Sequence, residues 1–192
     1  GVADFAELLL RTYELLCRNE PLRHHYQARF RHILVDEFQD TNVLQYKWLK
    51  LLAAYGEQAD GACLFAVGDD DQSIYAFRGA EVGNMRDLER EFKVANVIRL
   101  EQNYRSHGNI LDAANALIKN NHGRLGKNLW TDAGAGEPIR VFEGFSDLDE
   151  ARFIVDEVRE LIRDDFSRQQ IALLYRSNAQ SRVLEHQLFT AG

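Results

Sequence analysis

Cysteine is scarce in this sequence, and the two cysteines present lie far apart. Cys17 and Cys63 are the only ones among 192 residues, and no C-x-x-C pair occurs. Neither a disulfide framework nor a zinc site is therefore indicated. A reducing, cytoplasmic environment is the default expectation for such a chain.

Long apolar runs and an excess of positive charge are also missing. No uninterrupted apolar stretch reaches the roughly 18 residues of a membrane helix, and no basic segment precedes an apolar one at the N-terminus. We therefore predict neither a membrane span nor a signal peptide. The formal net charge of -7 argues against a surface that is basic throughout, so any contact with DNA must be local.

What the sequence does contain is enough apolar material for a core. Its hydrophobic content is 45%, which suits one large or two small domains. The chain begins at "GVADF" without a methionine and stops at "FTAG". We take it to be a piece of a longer protein.

Apolar runs and amphipathic stretches alternate along the chain. The predicted strands are "HILVD", "CLFAV", "NVIRL", "IRVFEG" and "IALLY". Helices are predicted in "DFAELLLRTYELLCRN", over residues 44–52, and in "NILDAANALIKNN", "LDEARFIVDEVRELIRDD" and "AQSRVLEHQLF". Asp4 and Thr41 are the expected caps of two of these helices. The pattern predicts an α/β fold with parallel sheets covered by helices on both faces, and ligands at the carboxyl ends of the strands. Asp36, Gly68 and Tyr175 lie at such ends.

Two adjacent carboxylates, Asp36 and Glu37, follow the first predicted strand. Like charges at the mouth of a buried strand repel each other unless a cation offsets them. One carboxylate can hold Mg²⁺ while the other takes a proton from the attacking water in phosphoryl transfer. The alternative is a solvated turn before a helix, with Asp36 or Asp40 near the helix N-terminus, and the dipeptide alone favours it.

The stretch "FAVGDDDQSIYAFRGA" leaves the second predicted strand through Gly68. Gln72 can sense a phosphate oxygen or a water. Tyr75, Phe77 and Arg78 offer stacking faces and a phosphate contact to single-stranded nucleic acid, although core packing is an equally good interpretation of Tyr75. The run of aspartates does not have the spacing of an EF-hand calcium loop.

A third stretch, "VIRLEQNYRSHGNI", places Tyr104 and Arg105 side by side after a predicted strand. A tyrosine ring can stack on a purine base, and an arginine can stabilise charge in a phosphoryl-transfer transition state. Taken alone, the pair is better explained as a packed aromatic beside a surface arginine in an ion pair with Glu101.

Together these stretches resemble the UvrD/Rep/PcrA family of superfamily I DNA helicases. "DEFQDTN" resembles motif II of that family, "VGDDDQSIYAFRGA" motif III, "RLEQNYRS" motif IV and "IALLYRSNAQSRVLE" motif IVa. The resemblance covers essentially the whole chain. It implies RecA-like P-loop NTPase domains, ATP as substrate with Mg²⁺, and 3′ to 5′ movement on single-stranded DNA in repair or replication.

The resemblance also implies roles for individual residues. Asp36 would hold Mg²⁺, Glu37 would be the catalytic base, and Gln72 would couple the γ-phosphate to the DNA site. Tyr104 would stack on adenine, and Arg105 would act as an arginine finger. The implied DNA contacts are Tyr75, Phe77, Arg78, Arg176 and Asn178. Phe77 stands where relatives commonly have tryptophan, which keeps a stacking face of smaller area.

The Walker A pattern G-x-x-x-x-G-K-[ST] is missing from the sequence. "HGRLGKN" imitates its end, but Asn121 and Asn128 occupy the places of the first glycine and the hydroxyl residue. The resemblance therefore implies a central fragment: the end of a 1B-like helical insertion over 1–30, the latter part of domain 1A over 31–96, and the first part of domain 2A over 97–192. Without a phosphate cradle, we expect such a fragment to be inactive alone.

Two functions of different classes follow. The first is an ATP-dependent helicase represented by its central part, acting on single-stranded DNA and its junctions with duplex. The second is a non-catalytic module that binds DNA or a repair protein through the same surfaces. No membrane partner is expected.

Overall fold

The computed structural model describes residues 3–54, 61–94 and 96–192. Its contacts divide the chain into two compact units, Gly1–Gly136 and Glu137–Gly192. In these described parts of the chain, no helix is both long and apolar enough to cross a membrane.

The first unit combines five helices with one small parallel sheet among the residues that the structure describes. The helices are α1 (Phe5–Arg18), α2 (Glu20–Arg29), α3 (Val43–Leu52), α4 (Gly83–Glu91) and α5 (Gly108–Ile118), and the strands are β1 (His32–Val35) and β2 (Cys63–Ala66). Short 3₁₀ turns occupy Phe38–Asp40, Asp70–Gln72 and Ala76–Arg78. The sequence reasoning did not predict α2 or α4.

The two strands pair in parallel, with Ile33 opposite Leu64 and Val35 opposite Ala66. One face of this sheet packs on the core, which centres on buried Phe38, Tyr46 and Leu49.

The other face of the sheet is open within the described chain. Leu34 and Phe65 point to this face and are 75% and 57% exposed. The prediction of strands buried on both faces is therefore wrong for this sheet. Covered and exposed side chains alternate along each strand, because successive side chains of a strand point to opposite faces of the sheet.

The helix caps explain where α1 and α3 begin. The side chain of Asp4 accepts a hydrogen bond from the backbone N–H of Glu7 at 2.8 Å, as predicted. The cap of α3 is Asn42 instead of Thr41, and it forms a reciprocal pair with Gln45. Thr41 is engaged elsewhere, since its hydroxyl donates to the Phe38 carbonyl at 2.7 Å.

Three predicted strands are wrong. Residues 96–100, 139–144 and 171–175 contain no strand in the structure, so Tyr175 does not end one. Apolar residues in these stretches, such as Ile98 and Leu174, are exposed. A strand needs a neighbour that accepts and donates its ladder of hydrogen bonds, and none pairs with these stretches among the described residues.

The second unit contains two described α-helices, α6 (Asp147–Arg163) and α7 (Asn178–Ala191). Ser146 and Ser177 cap them through their side-chain oxygens. Ala151 and Val155 are the buried residues of α6. The two helices contact each other, as their amphipathic patterns predict.

Candidate functional site

The two carboxylates at the end of β1 are both exposed. Asp36 Oδ1 accepts a hydrogen bond from the backbone N–H of Glu37 at 2.9 Å. The backbone of Glu37 is left-handed, with φ 49° and ψ 43°. A residue with a Cβ rarely adopts this conformation, and such strain is concentrated at functional sites. The turn carries the Glu37 carboxylate, which contacts the buried side chain of Gln39.

Gln39 holds that carboxylate and is a site residue that the sequence reasoning missed. Only 1% of its surface is exposed. Its Nε2 donates to Glu37 Oε2 at 2.7 Å, and its Oε1 accepts from the backbone N–H of Asp69 at 2.9 Å. A buried amide needs partners for both ends, and here the partners lie on the two segments that leave β1 and β2. A glutamine two places after paired carboxylates was the available signal.

Gly68 makes this close approach possible. A Cβ at Gly68 would lie 2.9 Å from Gln39 Oε1 and 3.2 Å from the Gln39 backbone nitrogen. Any larger residue would therefore push Gln39 away from Asp69. The glycine is needed for space and not for a positive φ.

Gln72 lies on the turn that follows. Its side-chain Nε2 donates to Asp69 Oδ2 at 2.6 Å, and its backbone N–H donates to the Asp69 carbonyl at 3.0 Å. Asp69 is thus bonded to both glutamines: its backbone N–H donates to Gln39, and its carboxylate accepts from Gln72. A continuous line of hydrogen bonds runs from Glu37 through Gln39 and Asp69 to Gln72. The structure places the two predicted groups at the same edge of the sheet.

The pKa of the Asp69 carboxyl reflects the groups that surround it. Burial opposes its ionisation, but the hydrogen bonds from Lys127 and Gln72 outweigh burial and hold the pKa below its usual value. Asp69 therefore carries its charge throughout the physiological pH range.

Three of the five predicted DNA contacts, Tyr75, Phe77 and Arg78, form one cluster on the surface. Phe77 is 79% exposed, and its ring centroid lies 6.0 Å from that of half-buried Tyr75. The guanidinium of Arg78 lies 4.7 Å from the Tyr75 centroid and 5.4 Å from the Phe77 centroid. Two π-faces and a cation in one place suit a base and a phosphate of single-stranded nucleic acid.

The segment after this cluster contacts the loop that carries the carboxylates. The Glu81 backbone N–H donates to the Thr41 carbonyl at 3.1 Å, and Asn84 Nδ2 donates to the same carbonyl at 2.9 Å. Asn84 is buried, and Ala80 pairs with Asn42 in an isolated bridge. The aromatic cluster and the carboxylate loop are therefore joined by short backbone contacts.

Tyr104 and Arg105 lie on an exposed turn before α5. Tyr104 is 86% exposed, and its hydroxyl donates to Gln102 Oε1 at 2.8 Å. Asn103 shapes the turn by accepting from the backbone N–H groups of Arg105 and Ser106. In the described part of the chain, no hydrogen bond or ion pair joins Arg105 to Asp36 or Glu37. The structure thus leaves both side chains accessible but does not bring them to the carboxylates.

Arg176 and Asn178 belong to the second unit. Both are exposed, and Asn178 is the first residue of α7. The backbone N–H of Arg176 donates to Gln180 Oε1 at 3.1 Å, so the backbone of Arg176 is held beside the start of the helix.

The donor set at the end of β1 fits magnesium. Mg²⁺ prefers one or two carboxylates, with its other positions open to water and phosphate oxygens. Asp36 and Glu37 supply two exposed carboxylates at a sheet edge. The aspartates at 69–71 also lie within 4.8 Å of one another, but they have basic or backbone partners.

Two family models together match nearly the whole chain. One is described as the UvrD/REP helicase N-terminal domain and matches residues 1–93, and the other as the UvrD-like helicase C-terminal domain and matches residues 98–192. The chain belongs to the UvrD/Rep helicase family. The resemblance to this family that the sequence motifs indicated is thereby confirmed.

Relatives within the UvrD/Rep family include DNA helicase II of Escherichia coli, which is 54% identical over 100% of this chain, and DNA helicase II of Haemophilus influenzae, 51% identical over 98%. The ATP-dependent DNA helicase PcrA of Staphylococcus aureus is 46% identical over 95% of the chain. The chain spans 26%, 25% and 24% of the lengths of these three relatives.

Proposed function

We propose that this chain is the central part of an ATP-dependent DNA helicase, and that Asp36, Glu37 and Gln72 serve its ATPase site. The observation that carries the proposal is the hydrogen-bonded line from Glu37 to Gln72 through Gln39 and Asp69. It ties a carboxylate suited to activate water to an amide suited to sense a phosphate. The names of the relatives support ATP and DNA as substrates.

Within this site, Asp36 is the residue that would hold Mg²⁺. When bound, the ion neutralises charge on the phosphates. Glu37 accepts a proton from the attacking water, and the hydrogen bond from Gln39 keeps its carboxylate in one orientation. Gln72 donates from its side-chain amide to the terminal phosphate, so its position changes when that phosphate leaves. The RecA-like P-loop fold is part of this proposal and is supported by the parallel pairing of β1 and β2.

The nucleotide site needs a second side. We assign Tyr104 to stacking on the base and Arg105 to the charge that develops on the transferred phosphoryl group. Their exposure leaves both free to meet a ligand. Closing and opening of the cleft between the two RecA-like domains would then follow ATP binding and hydrolysis.

Single-stranded DNA would lie on the cluster of Tyr75, Phe77 and Arg78. The contacts of Glu81 and Asn84 with Thr41 give a short physical route from this cluster to the carboxylate loop. Arg176 and Asn178 are further DNA contacts in the proposal. The proposal also includes movement from 3′ to 5′ and action at junctions of single-stranded DNA with duplex. It places the protein in the cytoplasm, in DNA repair or replication, with repair proteins as partners.

The substitution Glu37→Gln tests this function in the longer protein that we propose contains the chain. We expect DNA-stimulated ATPase activity to fall by about 10²-fold or more, since an amide cannot take the proton, whereas nucleotide binding should persist. The matched control is Glu89→Gln on α4, an exposed glutamate away from the site. Steady-state ATPase assays with and without single-stranded DNA measure both. An unchanged rate in the Glu37 variant would remove it as the base.

The second candidate function is a non-catalytic module that binds DNA. The exposed cluster of Tyr75, Phe77 and Arg78 favours it, because that surface requires no nucleotide. The sequence also contains no Walker A pattern, so we expect the chain alone to hydrolyse ATP poorly. Binding of single-stranded DNA by the chain with no binding of nucleotide would support the module.

A further inference from the structure

The loop over residues 123–128, which imitates the end of a Walker A pattern, contacts the aspartates beside Gln72. Lys127 forms an ion pair with Asp69. Arg124 forms a two-pronged pair with Asp71, with Nε 2.8 Å from Oδ1. These four side chains are only 12% to 20% exposed, so solvent screens the pairs less than it would on an open surface.

The backbone of the loop reinforces these ion pairs. The Leu125 N–H donates to Asp70 Oδ2 at 2.6 Å, so each of the three consecutive aspartates has a partner on the loop. Gly126 has a φ of +79°, a conformation that favours glycine. The turn at Gly126 lets Arg124 and Lys127 face the same acidic segment, and Arg124 also donates to the Lys127 carbonyl at 3.0 Å.

The carboxylate of Asp69 connects this loop to Gln72. Oδ2 of Asp69 accepts from Gln72 Nε2 and also pairs with Lys127, while Oδ1 accepts from the Asp71 N–H at 3.1 Å. Without Lys127, a largely buried carboxylate would lose its charged partner. Such a group then turns toward water or another donor, and its remaining bonds change with it.

We propose that Lys127 and Arg124 are positioning residues for Gln72: they pair with Asp69 and Asp71 and thereby fix the turn from which the Gln72 amide projects. This inference rests on the proposed role of Gln72 at the terminal phosphate. The loop would act on hydrolysis without touching the nucleotide. Its two basic residues form ion pairs with aspartates and are not assigned to phosphates.

The loop and the aspartates that it contacts lie in regions matched by different family models. The aspartates lie in the region matched by the N-terminal family model, and the loop lies in the region matched by the C-terminal one. Both belong to the first compact unit of this chain. A contact of this kind couples the placement of Gln72 to a loop of the second family region.

Replacement of Lys127 tests the positioning role in the longer protein. For Lys127→Met we expect kcat of DNA-stimulated ATP hydrolysis to fall by about tenfold, with KM for ATP within about twofold, because misplacing a group by 1 Å costs up to ~10²-fold in rate. Lys127→Arg keeps the ion pair and should restore most of kcat. Lys119→Met, on an exposed lysine of the same region, is the matched control.

A second readout reports on Gln72 directly. In this 192-residue chain, the side-chain amide resonances of Gln72 in a ¹⁵N–¹H spectrum should move in Lys127→Met and stay in place in Lys119→Met. Unmoved resonances, or a kcat equal to that of the Lys119 control, would overturn the inference. If Glu37→Gln leaves the ATPase rate unchanged, the proposed function fails, and the spectrum still decides whether Lys127 positions Gln72.

Discussion

Glu37 illustrates how much one residue can be constrained by its neighbours. Its left-handed backbone costs roughly 1 kcal/mol relative to an ordinary conformation. The hydrogen bonds from the Glu37 N–H to Asp36 and from Gln39 to the Glu37 carboxylate hold it there. The sequence indicated a candidate site at the two carboxylates. It could not predict the bridge through Gln39, because that bridge depends on how closely Gly68 approaches Gln39.

We predict that removal of the Phe77 ring weakens DNA binding. Phe77→Ala should weaken binding of single-stranded DNA by about 10-fold, since stacking of a base on an aromatic ring contributes ~1–3 kcal/mol. Thermal stability should stay the same, because the ring is exposed. Fluorescence anisotropy with a labelled oligonucleotide measures the affinity.

The control for this prediction is Phe5→Ala, which removes an equally exposed ring from α1. It should leave DNA binding unchanged. If the Phe77 and Phe5 variants bind DNA as tightly as the unmodified chain, the cluster of Tyr75, Phe77 and Arg78 does not contact DNA.

Among the secondary-structure elements, α3 and α4 are joined by one carboxylate. Glu91 Oε2 accepts from the Tyr46 hydroxyl at 2.7 Å and lies 2.8 Å from Lys50 Nζ. The hydrogen bonds from Lys50 and Tyr46 hold the pKa of Glu91 below its usual value. Asp36 follows β1, which packs on the same core as α3 and α4, so this tie supports the scaffold beneath the site.

Glu91→Gln should lower the free energy of unfolding at neutral pH by about 1 kcal/mol, as expected for a partly exposed charged hydrogen bond. Because the folded-state pKa is depressed, the stabilisation is complete above the unfolded pKa of about 4.3 and is lost as the pH falls through the folded-state pKa. Urea unfolding at several pH values measures this difference.

The difference between the Glu91 variant and the unmodified chain should stay constant from about pH 8 to about pH 5 and shrink below that. Glu89→Gln on the same helix is the control, with no comparable effect at any pH. A deficit that does not shrink as the pH falls through the folded-state pKa of Glu91 would contradict the assigned cause.

Helices were easier to predict than strands for a physical reason. The amphipathic periods of α1, α3 and α6 are local, so they survive whatever lies around them. The apolar stretches at 96–100 and 171–175 are equally clear in sequence, but a strand forms only beside a partner. The sheet of β1 and β2 has that partner, and the other stretches lack one within the described residues.

For the whole molecule, the family boundaries and the compact units do not coincide. The two family models meet near residues 94–97, whereas the compact units divide after Gly136. The contacts of residues 124–127 with the aspartates at 69–71 are among those that keep residues on both sides of the family boundary in one unit. The sequence showed the family through its motifs, but it gave no sign of this contact.

The predicted domain limits at 31 and 97 remain predictions, as do the roles of the site residues. The chain spans about a quarter of the length of its relatives. In our proposal the chain supplies the acidic side of a nucleotide site, and that site needs further groups that this sequence does not contain, above all a Walker A lysine.

The measurement that tests this most directly is a titration of the chain with a fluorescent ATP analogue, in the presence of Mg²⁺ and then of a chelator. The account predicts that Mg²⁺ strengthens binding, that Asp36→Ala abolishes this effect, and that Asp156→Ala on α6 leaves it intact. Binding that is independent of Mg²⁺, or equally dependent on it after Asp36→Ala, would contradict the account.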